Sequence, residues 1–449
     1  MFPVLNPEDP MQRITCKFGG TSLADAACIQ NAISIVKANP ARRFVVPSAP
    51  GKREAQDKKI TDLLYAWHNM ARQGLDASEP RRIIEARFSE LARDLNTTFD
   101  VRPCLEEIAA RAAQDETPDY MASRGEYLNG RLMAEVLGAV FVDPAECIYF
   151  KRNGELDPVS YERLGDRLKG EGYYVIPGFY GVTPDGAVKT FSRGGSDVTG
   201  AIVARASCSD LYENWTDVSG FCMADPRIVA GAKRIEEVTY RELRELSYMG
   251  ATVLHDEAIF PVREPGIPIH ILNSKAPDQP GTKIVATRKA SAPVCGIAGR
   301  SGFSMFNIEK TLMNKEHGFG RKLLSILEEM QVSWEHMPSG IDTVSIIVKD
   351  DEIKGKGEAI LEAIERQLAP DDLSLTTGLA IIATVGQGMN HHVGVAARLT
   401  GAIAGAGVNL RVIDQGSSEM NIIIGVESRD LENAVRAIYE AFNDWNGTA

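Results

Sequence analysis

The last third of the chain repeats itself. A constant offset of 76 positions carries Gly318 onto Gly394, Val332 onto Val408, Gly340 onto Gly416 and Ser345-Ile-Ile-Val onto Asn421-Ile-Ile-Ile. Each first glycine opens an apolar-periodic helix, each valine opens a strand, and each second glycine sits in the following turn. Both copies then run into a second helix, Gly357–Leu368 and Leu431–Phe442. Such a unit reads β-α-β-β-α-β over roughly 70 residues, a split motif with two helices on one face of a sheet. Two helix–strand units coinciding by chance is the bland alternative. Four landmarks in one register disfavour it, and a tandem repeat is the sturdier inference.

The first two-thirds has another texture. Short apolar runs at 14–18, 44–47, 140–142, 173–176, 188–191, 210–215 and 267–271 alternate with helical patterns at 22–37, 124–137, 196–206 and 240–254. That alternation predicts a mainly parallel sheet with helices on both faces. Residues 60–114 carry few strand signals and read as a helical insertion beside the sheet. The composition shifts over 276–293, APDQPGTKIVATRKASAP, which marks a boundary, although 283–286 is a candidate edge strand. For 449 residues, about three domains are expected. The expected division is a leader over 1–12, in which Met11 is an alternative start, a first domain over 13–290, and repeat units over 291–372 and 373–449.

Charge and cysteine usage narrow the function. Lys and Arg total 49 against 61 Asp and Glu, a net charge of −12. A surface this acidic repels phosphate backbones and argues against general nucleic-acid binding, while leaving room for an anion in a local basic pocket. The seven cysteines are scattered and form no CxxC pair, which disfavours a disulfide scaffold or zinc ribbon and suits a reducing cytoplasm. No run approaches about 18 apolar residues, so no membrane span is expected, and the N-terminus lacks the pattern of a signal peptide.

Four loops following strand candidates carry the chemistry. The first is Lys17-Phe18-Gly19-Gly20-Thr21-Ser22, where glycines let backbone amides approach an anion and Lys17 supplies a cation. Ser22 is a candidate helix N-cap there. A mere turn with a surface lysine is the bland alternative. The second is Phe191-Ser192-Arg193-Gly194-Gly195-Ser196-Asp197; the third is Trp215-Thr216-Asp217-Val218-Ser219-Gly220 with Ala224-Asp225-Pro226-Arg227; the fourth is Pro47-Ser48-Ala49-Pro50-Gly51-Lys52. Neither GxxxxGK[ST] nor GxGxxG occurs, so neither a P-loop nor a dinucleotide fingerprint is available. Anion-friendly loops converging at strand carboxyl ends suggest a phosphate-rich substrate and a nucleotide-dependent transferase.

Together KFGGTS, SRGE, SRGGSD and WTDVSGF–ADPR resemble the aspartate kinases of the amino acid kinase superfamily. The C-terminal repeat, with GMNHHVGVAAR–SSEMNI, resembles their paired ACT domains, and the likeness spans about 13–445. It implies an amino acid kinase fold, an α/β architecture with a mainly parallel sheet sandwiched by helices, followed by two ferredoxin-like βαββαβ ACT domains. It also implies transfer of the ATP γ-phosphoryl, with Mg2+, to the β-carboxylate of L-aspartate, giving 4-phospho-L-aspartate, the first step of lysine, threonine and methionine biosynthesis. By resemblance, Lys17 contacts the transferring phosphoryl and Asp197 organises the active site. Gly19, Gly20 and Ser22 hold phosphate, and Thr216, Asp217 and Arg227 contact the nucleotide. Thr61, Glu126, Arg193, Gly194, Gly195 and Ser196 serve aspartate, with Glu126 on its ammonium and Arg193 on its α-carboxylate. One acid, one forked cation and one further positive group are what free aspartate requires of a site. No carboxylate cluster reads as a metal cage, so Mg2+ would arrive with ATP and keep several waters.

Three positions depart from the family pattern. Thr252 stands where many aspartokinases have a nucleotide-contacting lysine, and Asp256 replaces the proline that usually follows Leu254-His255; Cys222 stands where an aromatic is expected near adenine. Lys52 or Arg227 are candidate compensating cations. His255 reads as a packed or capping histidine, His391-His392 as surface or interface residues, and the acidic stretch 361–366 as a solvated face. The alternative reading is an amino-acid-sensing regulatory protein with a decayed kinase domain; a superfamily relative acting on glutamate, N-acetylglutamate or a nucleotide is a third. In the first repeat, Met313, Gly318, Phe319, Trp334, Glu335 and Asp342 outline a candidate effector site, with lysine favoured over threonine because two acids suit a second ammonium. ACT units generally pair, so a homo-oligomer, at least a homodimer, is expected.

Overall fold

The computed structural model describes residues 12–114, 116–192, 194–250, 254 and 256–445. The chain divides into two compact units. The first comprises Met1–Phe221, Glu236–Tyr240 and Thr252–Arg288; the second comprises Cys222–Ile235, Arg241–Ala251 and Lys289–Ala449. One change of unit falls after Arg288, and two short stretches upstream of it belong to the second unit.

In the first unit the strands are β1 (Ile14–Phe18), β2 (Arg42–Pro47), β3 (Val140–Phe141), β4 (Tyr174–Val175), β5 (Tyr180–Val182), β6 (Val188–Thr190), β7 (Leu211–Thr216), β8 (Glu237–Thr239), β9 (Ile269–Asn273) and β10 (Thr282–Val285). Eight of them form one sheet in the order β3-β4-β2-β1-β7-β9-β10-β8. All neighbours run parallel except β9 and β10. Every residue of β1 is buried, as expected for a strand covered on both faces. The 283–286 candidate is β10, an internal strand, and β8 is the edge.

The 188–191 run does not join this sheet, a correction to the expected pattern. It forms a hairpin with β5. The reason is the Pro184-Asp185-Gly186 turn, where Gly186 has φ +86° and Ala187 O accepts from Thr183 N, a conformation glycine adopts without penalty.

Helices flank the sheet. The expected helix 22–37 is a short 3-10 turn, Gly20–Leu23, followed by the helix Ala26–Lys37. Its N-cap is Asp25, whose carboxylate accepts from Cys28 N, and not Ser22. The 60–114 insertion is three helices, Ile60–Arg72, Ser78–Asp94 and Arg102–Ala112. Pro118–Leu137 is longer than the predicted 124–137 because Thr117 caps it, Pro118 opens it and Gly138 closes it at φ +67°. The helix predicted over 240–254 spans Tyr240–Tyr248; Thr252 and His255 lie outside the described residues.

In the second unit, β11 (Gly296–Glu309), β12 (Trp334–His336), β13 (Thr343–Lys349), β14 (Asp372–Val385), β15 (Val412–Asp414) and β16 (Asn421–Glu427) form one antiparallel sheet, β12-β13-β11-β14-β16-β15. The two copies carry like elements, but Val332 and Val408 do not open strands as expected. Gly318 and Gly394 both take positive φ, 79° and 91°, as N-caps of the helices Phe319–Glu329 and Val395–Gly405. Val332 and Val408 are buried just ahead of β12 and β15.

The strands are shared in an order the repeat does not show. Residues 303–309 of β11 pair with β13, completing the first copy. Residues 296–301 of β11 pair with 380–385 of β14, and that part of β14 pairs with β16. The fourth strand of the second copy thus precedes the first copy in sequence. Each copy keeps its own core, Phe306, Leu323, Ile346 and Ile364 in one, Ile382, Leu399, Ile424 and Ile438 in the other.

Candidate active site

Parallel register sets the first element of the site. Lys17, the penultimate residue of β1, lies opposite Val46 of β2 and Asn214 of β7. Its ammonium is buried and stands 2.5 Å from Asp197 Oδ1 and 3.4 Å from Asn214 Oδ1. Asn214 Nδ2 donates to the same Asp197 oxygen at 3.0 Å. Asp197 occupies the first turn of the helix Gly195–Ala206, where Gly194 at φ +57° begins the helix and the Tyr212 hydroxyl donates to Asp197 O. Although its loop follows a hairpin strand, that helix packs on β1, β2 and β7 and so delivers Asp197 to Lys17. Nothing larger than glycine fits at Gly195, since a Cβ there would stand 2.5 Å from the Phe179 ring. Ser196 is buried against Gly178. Arg193 lies outside the described residues.

The first glycine loop lies over the ammonium: a Cβ on Gly19 would be 3.5 Å from Lys17 Nζ. The fourth loop rests directly on the first. Gly51 N donates to Gly20 O at 2.8 Å, and a Cβ on Gly51 would come within 2.5 Å of that oxygen. Ser22 is placed differently from expectation. Its hydroxyl is buried and bonded to Ser274 Oγ at 2.7 Å, and its amide donates to Gly19 O. Ser274 in turn bonds Thr216 O, closing the ends of β1, β7 and β9 together. Thr216 Oγ1 donates to the exposed Asp217.

The same fourth loop reaches a second element. Glu126 sits mid-helix in Pro118–Leu137, buried, with Oε2 lacking a hydrogen-bond partner among the described residues. Burial pushes its carboxyl up to about 7, opposed by the Ala49 N–H it accepts and by the charge of Arg124. Asn129, one turn on, donates to Ser48 O at 2.7 Å. Thr61 stands in the first turn of Ile60–Arg72, half-buried; its neighbour Ile60 packs on Gly125, whose Cβ would meet Ile60 Cγ2 at 3.3 Å. A buried carboxylate with an unmatched oxygen is costly unless a cation or a proton supplies the match. This one is suited to an ammonium.

Arg227 does not belong to this unit. It lies in Cys222–Ile235 of the second unit, 87% exposed, paired with Asp225 at 2.6 Å. Cys222, also in the second unit, bridges Arg234 and has its thiol raised by burial. Lys52 is exposed and donates to Ala55 O. Asn214 and Ser274 were not singled out from sequence; both are buried polar residues, Asn214 within β7 and Ser274 just after β9.

In the first repeat, Met313 is buried in a 3-10 turn and Phe319 is buried beside Gly318. Asp342 Oδ1 accepts from Leu312 N at 2.8 Å, so this acid fixes the turn that holds Met313. Trp334 is exposed on β12. Glu335, next to it, has a side chain 1% exposed and pairs with Lys349 at 2.8 Å.

Two family models match the chain: the amino acid kinase family over residues 12–273 and the ACT domain over residues 382–442. Aspartokinase 3 of Bacillus subtilis is 39% identical over 445 residues, covering 95% of this chain and 98% of that protein. The crystal structure of Clostridium acetobutylicum aspartate kinase superposes with a TM-score of 0.90 at 47% identity, covering 96% of this chain and all of that one. Escherichia coli aspartokinase III in complex with aspartate and ADP gives 0.75 at 26% identity, again covering 96% of this chain and 100% of that chain. The chain therefore belongs to the aspartokinases, the aspartate-phosphorylating members of the amino acid kinase family.

Proposed function

We propose that Lys17, held by Asp197 and Asn214, contacts the γ-phosphoryl of ATP as it passes to aspartate, while Glu126 holds the ammonium of aspartate so that the β-carboxylate attacks in line and ADP leaves. The observation that supports this most is the pairing of an oriented buried ammonium with an unmatched buried carboxylate, joined by one strip of backbone, Ser48 to Gly51. Phosphoryl transfer asks for position and charge rather than covalent help. A carboxylate acceptor is already ionised near neutral pH, so no base is needed. By family resemblance Gly19, Gly20, Thr216 and Asp217 serve the nucleotide, and Gly194, Gly195, Ser196, Arg193 and Thr61 complete the aspartate side. Among the described residues no group of three or more metal-ligating side chains occurs. Mg2+ would enter on ATP, spreading charge over the phosphates. The test is a pair of variants: Lys17→Met should lower kcat by about 10² or more, and Glu126→Gln should raise the aspartate KM while leaving the ATP KM nearly unchanged. If Glu126→Gln moves the ATP KM instead, the two subsites are exchanged.

The ACT sheet makes feedback control by an amino acid the expected regulation, and E. coli aspartokinase III has been solved with lysine and aspartate in its T-state. Lysine is favoured here over threonine as the effector, at the first repeat. Lys349 already pairs with Glu335 Oε1, so an effector ammonium at that carboxylate competes with the Lys349 charge. A homo-oligomer assembled through the ACT units, at least a homodimer, and a cytoplasmic location belong to the same reading. Among the described residues no helix is long and apolar enough to cross a membrane.

A further inference from the structure

Behind the two glycine loops lies a buried guanidinium that the reaction scheme does not use. Arg87, on the helix Ser78–Asp94 of the helical insertion, is 5% exposed. Its Nη2 donates to Ala24 O at 2.6 Å and to Gly51 O at 2.9 Å, and its Nη1 pairs with Asp57 at 2.5 Å. Ala24 ends the 3-10 turn that follows Gly19 and Gly20. Gly51 is the residue whose amide lies on Gly20 O. Asp57 closes the long loop between β2 and Ile60–Arg72, where Arg53 also holds it through its backbone amide and guanidinium. The hydrogen bonds from Arg53, joined by Arg87, keep the Asp57 carboxyl well below the usual carboxylate range.

We infer that Arg87 is a positioning residue for phosphoryl transfer, fixing the Ser48–Gly51 strip so that the Lys17 end and the Glu126 end of the site keep their separation. The strip touches both ends: Gly51 lies on the loop over Lys17, Ala49 N–H bonds the Glu126 carboxylate, and Ser48 O takes Asn129. Three attachments converge on one planar fork, which no single ammonium reproduces. Arg87 touches neither Lys17 nor Glu126, so its effect passes through the strip. The inference rests on the placement of the two subsites given above.

The experiment compares steady-state kinetics and thermal unfolding of wild type, Arg87→Met, Arg87→Lys and Asp57→Asn in the full chain. A misplacement of about 1 Å at a reacting centre costs on the order of 10² in rate. The expected result is a kcat lowered at least tenfold in Arg87→Met at saturating ATP and aspartate, with both KM values changed less than threefold. Arg87→Lys should recover part of that loss. Asp57→Asn, which leaves both carbonyl contacts in place, should lose less and covers the case in which Arg87→Met does not fold. A folded Arg87→Met with kcat within twofold of wild type overturns the inference, as does a deficit that vanishes when the assay is cooled below the variant's unfolding transition. If Arg87→Met does not fold, an unchanged kcat in Asp57→Asn overturns it. An unchanged kcat in Arg87→Met while Glu126→Gln still raises only the aspartate KM separates failure of this inference from failure of the subsite assignment.

Discussion

Two buried charges of opposite sign carry the account, and they are solved differently. Lys17 is paired within the protein, so its ammonium is fixed before any substrate arrives. Glu126 is left with an open oxygen, and burial raises its carboxyl to about 7. A carboxyl raised above its unfolded value favours the folded state below about 4.5 and loses that contribution as pH climbs through about 7. Binding runs the other way. The substrate ammonium needs the carboxylate, so below about 7 a proton must leave before aspartate binds. Aspartate KM should therefore fall as pH rises through about 7, by up to about tenfold per unit below the transition, and this dependence should be absent in Glu126→Gln. Aspartate KM measured from pH 6 to 8.5 checks it; a flat wild-type profile contradicts the assignment. Lys17, Glu126 and Asp197 were legible from sequence because each stands inside a short motif. Asn214 was not, because a polar residue beside Glu213 in a strand gives no sign of its partner until the register with Lys17 is known. Ser22 was read as a cap because it precedes a helical pattern, whereas its hydroxyl is spent on Ser274, far away in sequence.

At the scale of elements, the site is made by loops lying on one another. The alternation of strands and helices predicted the sheet and its parallel sense, since period and length decide those. It did not reveal that β6 belongs to a hairpin, because a short apolar run looks the same in either place. Nor did it show the Gly51–Gly20 contact, which depends on two loops meeting across the sheet end. That contact gives a direct prediction. A methyl on Gly51 would stand 2.5 Å from Gly20 O and 2.6 Å from Gly20 C, so backbone has to move. Gly51→Ala should lower kcat by about tenfold or more and stability by about 1–3 kcal/mol. Urea unfolding alongside kinetics would show it, and an unchanged kcat would mean that the loops are not held in register.

For the whole molecule, the repeat in the sequence became two like units on one sheet, yet the chain enters the second before it builds the first. Periodicity reports what each segment forms and is silent on which copy a strand completes; β11 serves both. The segments Cys222–Ile235 and Arg241–Ala251 add to this second unit although they precede the compositional break. Within it Glu242 accepts from Gln387 N and Glu245 accepts from Asn421. Regulation is the property that belongs at this scale. Lysine should inhibit by binding a less active state better than the active one. Lys349→Met, by freeing Glu335, should lower the lysine concentration required for half inhibition, and Glu335→Ala should raise it. Initial rates against lysine and threonine, singly and together, decide this. Inhibition by neither would remove the effector site, and lysine inhibition unchanged in Glu335→Ala would move it elsewhere.

The central claim, that one protein-bound ammonium and one unmatched carboxylate select aspartate for phosphorylation by ATP, meets its most direct test in acyl phosphate trapping. The purified chain is incubated with ATP, Mg2+ and hydroxylamine, once with aspartate and once with glutamate, and hydroxamate is measured. The account predicts ATP-dependent hydroxamate from aspartate at least 10²-fold above the Lys17→Met variant and little from glutamate. Hydroxamate from glutamate at an equal rate, or none from aspartate in a folded wild-type protein, would contradict it.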